Sequence, residues 1–78
     1  MKDLDIVLRD IGIEVARAMS LYPPFHSAHE GFAIFDEERD ELWEEVKLNP
    51  KLRSRERLYT EAVQCAAMAV RFAREVAS

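Results

Sequence analysis

The chain has 78 residues, 9.0 kDa, 49% hydrophobic and 33% charged, with a formal net charge of −4. One domain over residues 1–78 is all that length admits, and a domain this small buries only roughly 60–65% of its unfolded surface. With Cys65 the sole cysteine no intrachain disulfide exists, two glycines and three prolines are too few for an all-β fold, and no apolar run spans a membrane.

Small scaffolds without disulfides recruit a metal or a partner chain. The opening Met1-Lys2-Asp3-Leu4-Asp5 carries no apolar signal region, which predicts a soluble protein of the cytoplasm.

Two breaks, Tyr22-Pro23-Pro24-Phe25 and Leu48-Asn49-Pro50-Lys51, divide an otherwise helical pattern into three. The first helix is predicted over about residues 3–21, with Leu4, Leu8, Ile11, Val15 and Ala18 on one face. Ile6, Val7, Ile13 and Met19 widen that face, and Gly12 suggests a close helix crossing. Ser27-Ala28-His29-Glu30 reads as a capping box opening a second helix over about 28–47. Its core face is Ala28, Phe35, Leu42 and Val46, flanked by Phe32 and Trp43. The third helix is predicted over about 54–77 with Ser54 as N-cap. Its core face is Leu58, Ala62, Cys65, Ala69, Phe72 and Val76.

The run Cys65-Ala66-Ala67-Met68-Ala69-Val70 is apolar nearly all round, as in helices buried on several sides. Three helices cannot enclose it. The predicted architecture is therefore all-α, with the second and third helices forming a four-helix core with a second subunit, as a homodimer or a dimer of dimers.

Charge is unevenly spread. Residues 27–46 hold eight acids and one base, whereas residues 47–57 hold five bases and one acid. Duplex nucleic acid needs a broad basic footprint and is not a predicted partner. Glu38, Glu41 and Glu45 share one strip of the second helix, bordering its apolar face. Glu61 and Gln64 lie one turn apart on the third. An antiparallel hairpin of these helices brings Glu38, Glu41 and Glu61 together at the edge of the core. Acids there repel one another and are costly to desolvate, and a hard divalent cation such as Mg²⁺ relieves both costs. The plain alternative is a solvated acidic helix face.

Glu37-Glu38-Arg39-Asp40-Glu41 resembles the EExxE motif of the MazG-like all-α nucleotide pyrophosphohydrolases, and Glu61-Ala62-Val63-Gln64 stands where that family has ExxD, with 19 residues between Glu41 and Glu61. Ser27-Ala28-His29-Glu30-Gly31-Phe32-Ala33 and Asp40-Glu41-Leu42-Trp43-Glu44-Glu45-Val46 are similar to a short subgroup of it, so the likeness covers about residues 22–77. The resemblance implies Mg²⁺-dependent hydrolysis (Mn²⁺ as a substitute) of a nucleoside triphosphate to monophosphate and pyrophosphate, between subunits of a helical oligomer. It implies Glu38, Glu41 and Glu61 as metal-binding carboxylates, Glu37 positioning a ligand or water, and Glu37, Glu38 and Glu41 as the catalytic acids. Gln64 occupies the place of a metal-binding Asp and offers a neutral carbonyl oxygen without charge. The family's catalytic members also continue past this helix with basic and amide residues, where this sequence reads to Ser78. These two departures set a second reading beside the enzyme: a catalytically impaired helical dimer that binds nucleotide or protein.

His29, Trp43, Lys47 and Arg57 are weaker candidates for substrate contact. The His26-x-x-His29 spacing matches no zinc pattern, and its plain reading is capping or packing. Trp43 offers a stacking face or an interface aromatic, and Lys47 and Arg57 offer phosphate grips or a solvated link. Cys65 and Met68 read as core, and Tyr22-Pro23-Pro24-Phe25 as a rigid turn.

Overall fold

A computed structural model describes residues 1–78 as three helices without strands: α1 (Leu4–Leu21), α2 (Ala28–Val46) and α3 (Arg55–Glu75). The starts of α2 and α3 are fixed by side-chain caps. Ser27 Oγ accepts from Glu30 N–H at 3.0 Å, and Ser54 Oγ accepts from Arg57 N–H at 3.2 Å. The reciprocal half of the expected capping box closes one residue early. Glu30 accepts from His26 N–H and meets His26 Nδ1, both at 3.1 Å, and these bonds hold its carboxyl below the usual range. At the other end, α3 stops at Glu75 and not at residue 77, with Val76 as its cap.

The long α3 packs against both α1 and α2, and those two do not pack on each other. The result is a body of 40 × 26 × 20 Å with a cleft between α1 and α2. Its core is small: Val15 and Ala18 of α1, Phe25 of the first link, and Ala67 and Met68 of α3, with Ile11, Ile34, Phe35, Phe72 and Val76 packed around them.

That core corrects the predicted faces. Val15 and Ala18 are buried as expected, but Leu4 and Leu8 are 72% and 56% exposed. On α3 the buried residues are Ala67, Met68 and Arg71, whereas Ala62 and Ala69 are exposed. At about 100° per residue, Ala62 and Ala69 point nearly opposite to Ala67, Met68 and Arg71. Wedged between two neighbours, α3 buries the side that meets both of them. Of the stripe predicted as core, Ala62 and Ala69 face outward, Leu58 and Cys65 are half-buried, and Phe72 and Val76 pack against the core.

The glycine that allows a close crossing is Gly31 and not Gly12. A Cβ at Gly12 would meet nothing within 4 Å, whereas one at Gly31 would sit 2.9 Å from the Phe72 ring and 3.0 Å from the Phe25 ring. Both rings are packed, so neither gives way freely.

The Tyr22–Phe25 link is pinned by a buried ion pair. Arg71, 3% exposed, meets Glu75 at 2.8 and 3.0 Å, donates to Pro23 O at 3.1 Å and lies 4.3 Å from the centre of the Phe25 ring. Glu75 accepts in turn from Phe25 N–H at 2.9 Å, and the Arg71 bonds hold its carboxyl below the usual range.

Candidate functional site

Helical spacing puts Glu38 and Glu41 on the side of α2 that faces α3, and the α2–α3 pairing brings Glu61 across to them. Each of the three offers a carboxylate oxygen within 4.8 Å of the other two. The predicted hairpin register therefore holds for these three residues. Glu45, one turn beyond Glu41, completes the acidic wall: one of its oxygens accepts from Arg57 Nε at 3.0 Å.

The environment of these acids is costly. The Oε2 atoms of Glu38, Glu45 and Glu61 are buried and have no hydrogen-bond partner. Burial first, then the charges of Glu41 and Glu61, push Glu38 up to about 7. Burial and the neighbouring Glu41 likewise push Glu61 above the ordinary carboxylate range. Orphaned oxygens on Glu38 and Glu61, together with the Glu41 carboxylate, make a donor set of the kind a hard cation takes, so the residues present fit Mg²⁺ or Mn²⁺.

Beside the cluster opens a cleft of about 400 Å³ between α1 and α2, floored by α3. Glu38 belongs to both the cluster and the cleft wall. Glu37, exposed, and Gln64 line the cleft. Its two cations are already engaged: Arg17 pairs with Glu14 at 2.6 Å, and Arg71 with Glu75.

The weaker candidates divide. Arg57 is brought to the cluster through Glu45. Lys47 pairs with exposed Glu44 at 3.0 Å and points to solvent. Trp43 is 50% exposed and, like His29, sits well round α2 from Glu38. The site does not gather either of them. Sequence reasoning placed Glu45 only as a member of a strip, and it missed Glu14, Arg17 and Tyr22. Those three come from α1 and its end, and no spacing within α2 or α3 reports on them. Burial pushes the Cys65 thiol up, which suits an unreactive packing residue.

Comparison with family models, with characterised proteins and with solved structures returned no match. No helix is long and apolar enough to cross a membrane.

Proposed function

We propose that this chain is a subunit of a MazG-like, Mg²⁺-dependent nucleotide pyrophosphohydrolase that converts a nucleoside triphosphate to monophosphate and pyrophosphate. The observation that carries this reading is the convergence of Glu38, Glu41 and Glu61, with orphaned buried oxygens on two of them. Those three residues would hold the ion, and Mn²⁺ suits the same oxygens. When bound, the ion neutralises phosphate charge and lowers the pKa of a coordinated water. Glu37, exposed on the adjoining cleft wall, is placed to orient a water or take its proton. Arg57, held on Glu45, presents a guanidinium beside the acids where phosphate charge would arrive.

The same proposal includes a second copy of the chain. Phe32, Trp43 and Val46 on α2 and Val70 on α3 are 59%, 50%, 38% and 39% exposed, and Ala62 and Ala69 share the outward stripe. The chain exposes 5792 Å², where a compact protein of its mass exposes about 4,900 Å². The excess, about 900 Å², is close to one partner's share of a standard interface. A four-helix core built from α2 and α3 of two copies covers this face.

Gln64, which supplies no charge, favours the alternative of a binding module without turnover. A screen of nucleoside triphosphates with Mg²⁺ or Mn²⁺, reading pyrophosphate release, separates the two. Release that Glu38→Gln abolishes supports the enzyme. Metal-dependent nucleotide binding without release supports the module. Neither binding nor release, with a melting temperature indifferent to metal, refutes both.

A further inference from the structure

We infer that Gln64 and the α1–α2 cleft form a nucleobase pocket, in which the Gln64 amide reads the edge of the base while the phosphates lie toward Glu38. This rests on the proposed function and assigns a part of the ligand which that reading leaves unplaced.

The cleft, about 400 Å³, falls within the range of small-molecule sites. Its charges argue against phosphate as its own occupant. Arg17 and Arg71 are each bound to a carboxylate, and Glu37 and Glu38 add negative charge. A triphosphate there would meet no free cation. An uncharged ring would meet Met68 on the floor, Ala18 and Ile34 on the walls and the ring of Tyr22, with only its edge needing polar partners.

Gln64 and Tyr22 are the only uncharged hydrogen-bonding side chains in the lining. The Gln64 amide makes no hydrogen bond within the chain, unlike the two arginines that flank it. It presents a donor and an acceptor in one plane, which match the adjacent acceptor and donor on the edge of a base. A partner built to make those bonds discriminates strongly, because the wrong base leaves its polar groups unpaired. Continuity with the acids follows from Glu38, which lines the cleft and belongs to the cluster. One molecule can therefore reach both. Position 64 is then a specificity residue, and its departure from the family's aspartate exchanges a metal charge for a base contact.

The test is equilibrium binding with Mg²⁺, using α,β-methylene analogues of the four deoxynucleoside triphosphates and inorganic tripolyphosphate. Wild type should prefer one analogue tenfold or more over the others and over tripolyphosphate. Gln64→Leu should bring the four analogues within about threefold of one another and leave tripolyphosphate affinity unchanged. Tyr22→Ala, at an exposed position that tolerates truncation, should weaken the analogues and spare tripolyphosphate. Glu38→Gln should abolish binding of all five.

An unchanged ranking in Gln64→Leu overturns the inference, as does a loss of tripolyphosphate affinity in that variant, which would make Gln64 a metal ligand. Analogues that bind wild type no better than tripolyphosphate overturn the base pocket alone. Failure of every probe on wild type overturns the proposed function and the pocket with it.

Discussion

The cleft is bounded by two groups of charged side chains that solve the same problem differently. At one end Arg71 and Glu75, almost fully buried, spend their hydrogen-bonding capacity on each other, on Pro23 O and on Phe25 N–H. At the other, Glu38, Glu41 and Glu61 crowd together with buried oxygens that nothing satisfies. The first group fastens a link and finishes the fold. The second is tolerated at a cost to a marginal domain, and the proposed function reads that cost as the place of a metal ion.

The sharpest way to break this contrast is Arg71→Met. It leaves Glu75 buried without its partner, and the loss should be about 3–5 kcal/mol by chemical denaturation, far above any change at the acidic end. A loss below about 1 kcal/mol would show that the link does not depend on the pair.

At the acidic end the sign reverses. Without metal, Glu38 binds a proton up to about pH 7 in the folded chain and only below the ordinary glutamate range when unfolded. Between roughly pH 4.5 and 7 the folded state therefore holds more protons, and stability falls as pH rises. Glu38→Gln should remove most of that slope, leaving the part that Glu61 contributes, and raise metal-free stability at pH 8 by about 2 kcal/mol, the full linkage value roughly halved because water reaches the cluster. Melting curves at pH 5 and pH 8 read both effects. A variant less stable than wild type at pH 8 would mean that Glu38 is satisfied by something other than metal.

Next in size is the metal itself. With only three carboxylates at hand, millimolar affinity is expected for Mg²⁺ or Mn²⁺, and ten times Kd stabilises by about 1.4 kcal/mol. The gain should grow with pH, opposite to the metal-free trend, and vanish in Glu38→Gln and Glu61→Gln. A rise that survives both substitutions places the ion elsewhere.

The smallest effect belongs to Arg57→Gln. Its pair with Glu45 is half in water and should cost under about 1 kcal/mol in stability. Because it also frees a carboxylate beside the cluster, the same change should tighten Mn²⁺ in titration calorimetry while weakening tripolyphosphate. A parallel loss of both would argue that Arg57 organises the cluster.

The sequence made local features legible and left relations between distant segments hidden. Ser27 and Ser54 cap because a hydroxyl at that position reaches the third N–H along, which needs no partner. Glu38, Glu41 and Glu61 converge because one hairpin register follows from helical spacing on two neighbouring helices. Periodicity could not choose which side of α3 is inside. Ala62 and Ala69 are as apolar as Ala67, and only the placement of α1 decides between them. Arg71 was invisible for a related reason. An arginine on a buried face is read as solvated until the Glu75 partner and the Pro23 carbonyl are seen around it. Gly12 and Gly31 look alike in sequence, and only the packed rings of Phe25 and Phe72 distinguish them.

That α1 touches α3 and not α2 also sets how the molecule breathes. Release of α1 requires loss of Val15 and Ala18 from the core and of the Tyr59–Asp10 hydrogen bond nearer the middle of the helix, while the α2–α3 hairpin keeps its own contacts. In native-state hydrogen exchange, α1 amides should therefore trade with solvent through a partial opening, ahead of the amides of α3, which must await unfolding of the whole chain. Each such opening takes away the wall of the cleft that Glu14, Arg17 and Ala18 build.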